Sequence, residues 1–266
     1  MAGRTLIQTP PRATAPEALI ILGAVGIFAM QGLLLDAGSI WPLAGLPLLA
    51  GAALVMRAVQ PLHISLFCSL RVILPCVLPP ISSWPLYKVT PLLLYLGIAQ
   101  AVPCLRRSLL WMRPGRLGGE IRLAILVVVP LSSGALLLWR VIFEPDMSPY
   151  VAHMAEMPAW LLPLAGMAFA TVNAAVEEAV YRGIFLQALD SAFGAGTAAV
   201  VLQGCLFGLV HFSEVGFPKG LSGVVMASVY GLILGFIRRR ARGMLAPWLL
   251  HLGTDITIFA IVVTSL

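Results

Sequence analysis

Ionisable residues interrupt long apolar stretches of this chain at three places: Glu177, Glu178 and Arg182 in Glu-Glu-Ala-Val-Tyr-Arg; His211, four residues after Phe207; and His251, with Asp255 four residues on. Hydrocarbon cannot solvate charge, so ionisable groups at bilayer depth are rare and mark functional sites whose partners must lie nearby. Two imidazoles and a carboxylate, with a second carboxylate one helical turn from an imidazole, can do two related things. They can hold a divalent metal such as zinc through Glu177, His211 and His251, or they can hold a water directly, with Glu177 taking its proton and the imidazoles stabilising an oxyanion. Hydrolysis of a peptide bond suits both.

The elements carrying these groups have to bring them to one height. On a helix, residues four apart share a face, so Glu178 and Arg182 can pair as a neutralised support, while Glu177 stacks over Tyr181 and under Asn173 and stays free for chemistry. Gly194-Ala195-Gly196 is the next turn signal. Glu177 lies 17 residues before Gly194 and His211 17 after it. In an antiparallel hairpin that places both roughly 25 Å from the turn, at 1.5 Å per residue. The last helix is expected to bring His251 and Asp255 to mid-depth, a looser match.

Of the 266 residues 60% are apolar and 11% charged, too little polar surface to cover a water-soluble globule of this size. Stretches such as 18–35 and 121–139 are apolar all round, as lipid-facing helices must be, whereas a membrane barrel would alternate. The reading is all-α: a polytopic transmembrane helical bundle. Candidate spans are 17–35, 39–57, 87–104, 121–142, 160–189, 196–212, 221–237 and 245–264. A weaker one at 62–80 carries Arg71, Pro75, Pro79 and Pro80. There are 8 membrane helices without it and 9 with it.

The net charge of +6 does not point to nucleic acid, because the basic residues gather in short loops between apolar runs, the pattern that orients a membrane protein. The loops holding Arg106, Arg107, Arg113, Arg116 and Arg122, and Arg238, Arg239, Arg240 and Arg242, are expected on the cytoplasmic side; Glu144, Asp146 and Glu156 lie in a loop without Lys or Arg. A crossing weak segment and a cytoplasmic amino terminus satisfy every loop. We therefore expect nine spans in a multi-pass protein of the cell inner membrane. Arg4 and Arg12 precede the first run as in a signal peptide, but no clear cleavage site follows, so that run reads as an uncleaved first span. Residues 105–120, with Pro114, Gly115, Gly118 and Gly119, form the best internal linker. They divide accessory amino-terminal helices (1–120) from a catalytic core (121–266).

The three motifs, in this order and inside apolar segments, resemble the CAAX prenyl endopeptidase and bacteriocin-processing (CPBP, CAAX protease self-immunity) family of intramembrane proteases, whose signature is Glu-Glu-x-x-x-Arg, Phe-x-x-x-His and His-x-x-x-Asn or an Asp-like variant. The resemblance covers about residues 158–266. It implies an α-helical intramembrane endopeptidase in which Glu177 and His211 activate the attacking water, His251 and Asp255 form the oxyanion-stabilising pair, and Glu178 and Arg182 support them. It favours a site without a cofactor, zinc or another divalent metal being the alternative. Asp255 departs from the Asn of prenyl-processing members. An ionised Asp cannot donate to an oxyanion, so it must be protonated, orient His251 or bind a metal. The implied substrate is a protein or peptide with a membrane-associated tail: a prenylated carboxy-terminal motif, a bacteriocin leader or a sorting tail, met in the membrane lipid. The amino-terminal half either cradles that substrate or only completes the bundle.

Other readings of the same residues are a transporter or proton relay, since buried carboxylates and histidines also line ion pathways, and a non-catalytic bacteriocin-immunity protein. His63 and His153 read as ordinary interfacial residues, and Arg71 and Arg140 as snorkelling side chains. Trp41, Trp84, Trp111, Trp139, Trp160 and Trp248 read as an aromatic belt. Cys68, Cys76, Cys104 and Cys205 read as reduced thiols.

Overall fold

The computed structural model describes residues 9–33, 40–152, 154, 156–212 and 216–266. Arg4 and His153 lie outside them. With no water to satisfy backbone groups in hydrocarbon, apolar runs must satisfy them within each segment, and helices do so. The elements are α1 (Ala15–Leu33), α2 (Ile40–Val55), α3 (Val59–Val77), α4 (Leu86–Ala101), the short α5 (Pro103–Arg107), α6 (Gly119–Phe143), the single turn α7 (Ser148–Val151), α8 (Leu162–Glu178), a π-helical stretch at Ala179–Phe185, α9 (Leu186–Phe193), α10 (Thr197–Leu209), α11 (Gly220–Ala241) and α12 (Leu245–Val263). There is no strand among the described residues.

Among the described residues five helical stretches are long and apolar enough to cross a bilayer: Val59–Val77, Gly119–Phe143, Ala159–Phe193, Gly220–Ala241 and Leu245–Val263. The weak segment is therefore a continuous 19-residue helix, α3, shifted to 59–77 and running through Pro75 before the chain turns at Pro79–Ser82. The apolar helices Ala15–Gln31, Ile40–Val55 and Thr197–Phe212 are shorter, as is α4 with 16 residues. Sixteen residues span about 24 Å, less than a hydrocarbon core of about 30 Å. Large apolar side chains such as Leu48, Val55, Leu126 and Val141 point outward, as lipid contact requires, while Phe67, Tyr95, Phe185 and Phe207 fill the interior.

Polar groups join the helices inside. Gln187 Nε2 donates to Gln60 Oε1 and to the Ser108 carbonyl, both at 2.8 Å, while its Oε1 accepts from the Leu110 amide at 3.0 Å. His63 is not interfacial. It is buried on the inward face of α3, with Nδ1 2.6 Å from the Tyr95 hydroxyl and Nε2 2.7 Å from Ser108 Oγ, so two hydroxyls satisfy a ring whose position near a loop pointed to the interface. Trp111 and Trp139 also leave the expected belt for the interior: Trp111 lies against Gly183, where a β-carbon would collide with the indole, and Trp139 Nε1 donates to Ser222 Oγ at 3.1 Å. The four cysteines are free.

The basic loops share one end of the bundle, as their charge suggested. The Met244 amide donates to the Arg113 carbonyl, Arg116 N donates to the Ala241 carbonyl, and Arg240 pairs with Glu120 at 2.7 Å. Arg239 pairs with Asp190 and donates to the Gly196 carbonyl at 3.2 Å, bringing the Gly194 turn to that end as well. The 105–120 stretch is thus tied by backbone hydrogen bonds to the α11–α12 turn.

Candidate active site

Glu177 and Glu178 close α8, where the α-helix widens into the π-helical stretch Ala179–Phe185. Such bulges cluster at functional sites because one extra residue per turn re-aims side chains. The expected plain α-helix is corrected here, yet Glu178 and Arg182 still meet, with Nη1 2.9 Å from Oε1 and both side chains almost wholly buried. The Arg182 guanidinium also lies over the Phe207 ring, 4.5 Å from its centroid.

His251, on α12, stands between the glutamates. Its Nδ1 is 2.8 Å from Glu178 Oε1, and its Nε2 is 3.5 Å from Glu177 Oε2 and 3.6 Å from Asp255 Oδ1. A carboxylate only accepts, so a hydrogen bond to Glu178 makes Nδ1 the donor. The Nε2 distances exceed hydrogen-bond range and are charge contacts. Phe207 and Tyr230 flank the ring edge-on, with centroids 5.7 and 5.8 Å away.

His211 lies just beyond α10 in a short 3₁₀ turn, Val210–Phe212. Its Nδ1 is 2.9 Å from the Phe207 carbonyl, which only accepts, so Nδ1 carries the proton and Nε2 is left as the acceptor. No hydrogen bond joins it to Glu177 among the described residues. It nevertheless lines the same cavity as Glu177.

One group escaped the sequence reading. Glu177 is not free: the Lys88 ammonium, from α4, pairs with its Oε1 and also donates to Asn173 Oδ1 at 2.8 Å. Asn173 in turn donates from Nδ2 to Asp255 Oδ2 at 3.1 Å. A chain Lys88–Asn173–Asp255 therefore links α4, α8 and α12. The signal was present, since Lys88 is a charge inside the apolar run 87–104 and the rule that singled out the glutamates applies equally to it. Asp255 is held by Asn173 and lies beside His251.

These side chains open onto a cavity of about 1570 Å³, mostly apolar, lined from both halves of the chain: Phe28, Phe67 and Lys88 from the amino-terminal helices, Glu177, His211 and His251 from the rest. Among the described residues no three of His, Cys, Asp and Glu are grouped as a metal site. The positions suggested for a metal, Glu177, His211 and His251, include a carboxylate already engaged by an ammonium ion, a poor donor set for a cation.

An all-helical, multi-pass membrane protein with a carboxylate and imidazole cluster inside it is the class that fold and site define. Residues 158–257 match the family model Rce1-like, described as type II CAAX prenyl endopeptidase. The match falls on the segment that carries the three motifs and agrees with the resemblance they imply, and the family it describes is one of membrane proteases. No curated protein and no solved structure matches the chain.

Proposed function

We propose that this protein is an intramembrane endopeptidase that cleaves a peptide bond near the membrane-anchored or carboxy-terminal segment of a protein or peptide, using water activated by Glu177 and His211 and no metal. The observation that carries the reading is the convergence of Glu177, His211 and His251, from three separate elements, on one cavity large enough for a lipid-linked peptide. Ordinary small-molecule pockets are about 300–1,000 Å³.

In this mechanism a water sits between the Glu177 carboxylate and His211 Nε2. Glu177 removes its proton as the oxygen attacks the carbonyl carbon, and His251, as an imidazolium with Nδ1–H donating to Glu178, turns Nε2–H to the oxyanion that develops. Collapse of the tetrahedral intermediate passes the proton from Glu177 to the leaving amine, so atoms and charge balance. Lys88 steadies the ionised Glu177, Glu178 and Arg182 hold His251 from behind, and Asp255 orients its ring. Nine membrane segments, counting the shorter helices, with the basic loops on the cytoplasmic side, fit this role.

The test is proteolysis in reconstituted membranes with a prenylated carboxy-terminal peptide. Glu177→Gln, which keeps shape and removes basicity, should lower kcat by about 10²–10⁴-fold. Cleavage indifferent to Glu177→Gln would reject the mechanism, and a chelator should leave the wild-type rate unaltered.

A further inference from the structure

The cavity holds a second cation that the proposed chemistry does not use. Arg71, on α3, lines its wall with the guanidinium stacked on Tyr87, 4.6 Å from the ring centroid. Among the described residues no carboxylate pairs with it, and the aromatic face of Tyr87 is its cation–π partner. A snorkelling arginine would reach along the helix to the membrane surface; this one turns inward.

Its depth matches that of the reactive groups. Gln60 on α3 and Gln187 on α9 are hydrogen-bonded and so share a height. Arg71 lies 11 residues beyond Gln60, and Glu177 lies 10 residues before Gln187 on the antiparallel helix. At 1.5 Å per residue the climb along α3 is roughly 16 Å, and the ten residues back to Glu177, which include the wider π-helical stretch, climb somewhat less than 15 Å, so the Arg71 backbone lies within about one helical turn of Glu177 in height. Lateral distance is bounded too. Lys88 Nζ, which holds Glu177, is 5.8 Å from the same Tyr87 ring centroid that lies 4.6 Å from Arg71, so end to end the two cations are at most about 10.4 Å apart.

The geometry points to Arg71 as a specificity residue: it binds the free α-carboxylate at the carboxy terminus of the substrate, on the leaving-group side of the scissile bond. An inward guanidinium without an acidic partner is an anion site, and its planar fork takes a carboxylate bidentately. An extended chain covers about 3.3–3.6 Å per residue, so a carboxylate held within such a distance of the attack centre limits cleavage to the last few residues of the chain. Internal peptide bonds, with no nearby terminus, lack this contact. The inference rests on the protease reading of the same cavity and adds to it the end of the substrate that is recognised.

The test compares two probes, the same prenylated, quenched-fluorescence peptide ending in a free carboxylate or in a carboxamide, cleaved by reconstituted protein. Wild type should favour the acid in kcat/KM by about ten- to a hundred-fold, the range of a hydrogen bond between charged groups, chiefly through KM. Arg71→Gln should bring that ratio to near one, and Arg71→Lys should restore part of it. Equal cleavage of acid and amide by the wild type overturns the inference without any variant. Arg71→Gln that slows both probes alike, leaving the ratio intact, also overturns it and assigns Arg71 to a lipid headgroup or to packing. Cleavage of neither probe by wild type refutes the protease reading for this substrate class, and the inference with it.

Discussion

The Glu178–Arg182 pair can be tested as a buried charge unit. Both side chains are at most 1% exposed, so neither water nor a lipid headgroup can replace a lost partner. The pair is also incompletely satisfied: the 2.9 Å approach of Nη1 to Oε1 has angles outside hydrogen-bond geometry, and Glu178 Oε2 and Arg182 Nε have no hydrogen-bond partner among the described residues. Arg182→Gln leaves Glu178 with a single donor, His251 Nδ1, while Glu178→Gln leaves Arg182 with a long 3.4 Å contact to the Gly231 carbonyl and the face of Phe207. Removing one member of a buried pair typically costs about 3–5 kcal/mol, because the other charge stays behind uncompensated. The double variant removes both charges. It should cost no more than either single change, a coupling of at least about 3 kcal/mol. Unfolding in mixed micelles by a rising fraction of SDS, followed by tryptophan fluorescence, measures all four corners of the cycle. Additive single effects, or singles within about 1 kcal/mol of wild type, would refute the argument that this pair is held against hydrocarbon by its own attraction. The stable double variant should still lose proteolysis, since His251 loses its ionised anchor.

Lys88→Met should lower kcat by about ten- to a hundred-fold, the worth of a hydrogen bond to a charged group, and Lys88→Arg should recover part of it; full activity in Lys88→Met would remove Lys88 from the site. Gly208 lies where α10 packs closely on α11, and a β-carbon there would collide with Ser228 and stand 2.5 Å from the Val224 carbonyl. Gly208→Ala should destabilise by about 1–3 kcal/mol in the same SDS titration, and an unshifted midpoint would show that the two helices can part without strain.

Much of the site could be read from residue type and spacing because a charge in an apolar run has few explanations. Glu177, Glu178, Arg182, His251 and Asp255 were named on that ground, and the two glutamates, the arginine and the histidine stand in contact, with Asp255 beside them. Glu177 and His211, equally spaced from Gly194 in the sequence, line one cavity. The charge pattern likewise anticipated that the arginine-rich loops and the Gly194 turn occupy one end.

Composition and periodicity determine that this chain is helical, membrane-embedded and supplied with ionisable groups within its apolar segments, because each of those properties is local to a segment. Rotation of each helix about its axis and the choice of its neighbours are not local. They decided that Lys88 turns to Glu177, that His63 and Trp111 face inward, that Arg71 points into the cavity instead of toward the membrane surface, and that the backbone widens at Ala179–Phe185. In a helix that is apolar all round, no stripe of the sequence distinguishes the lipid side from the protein side, so only packing against the other helices could set those directions.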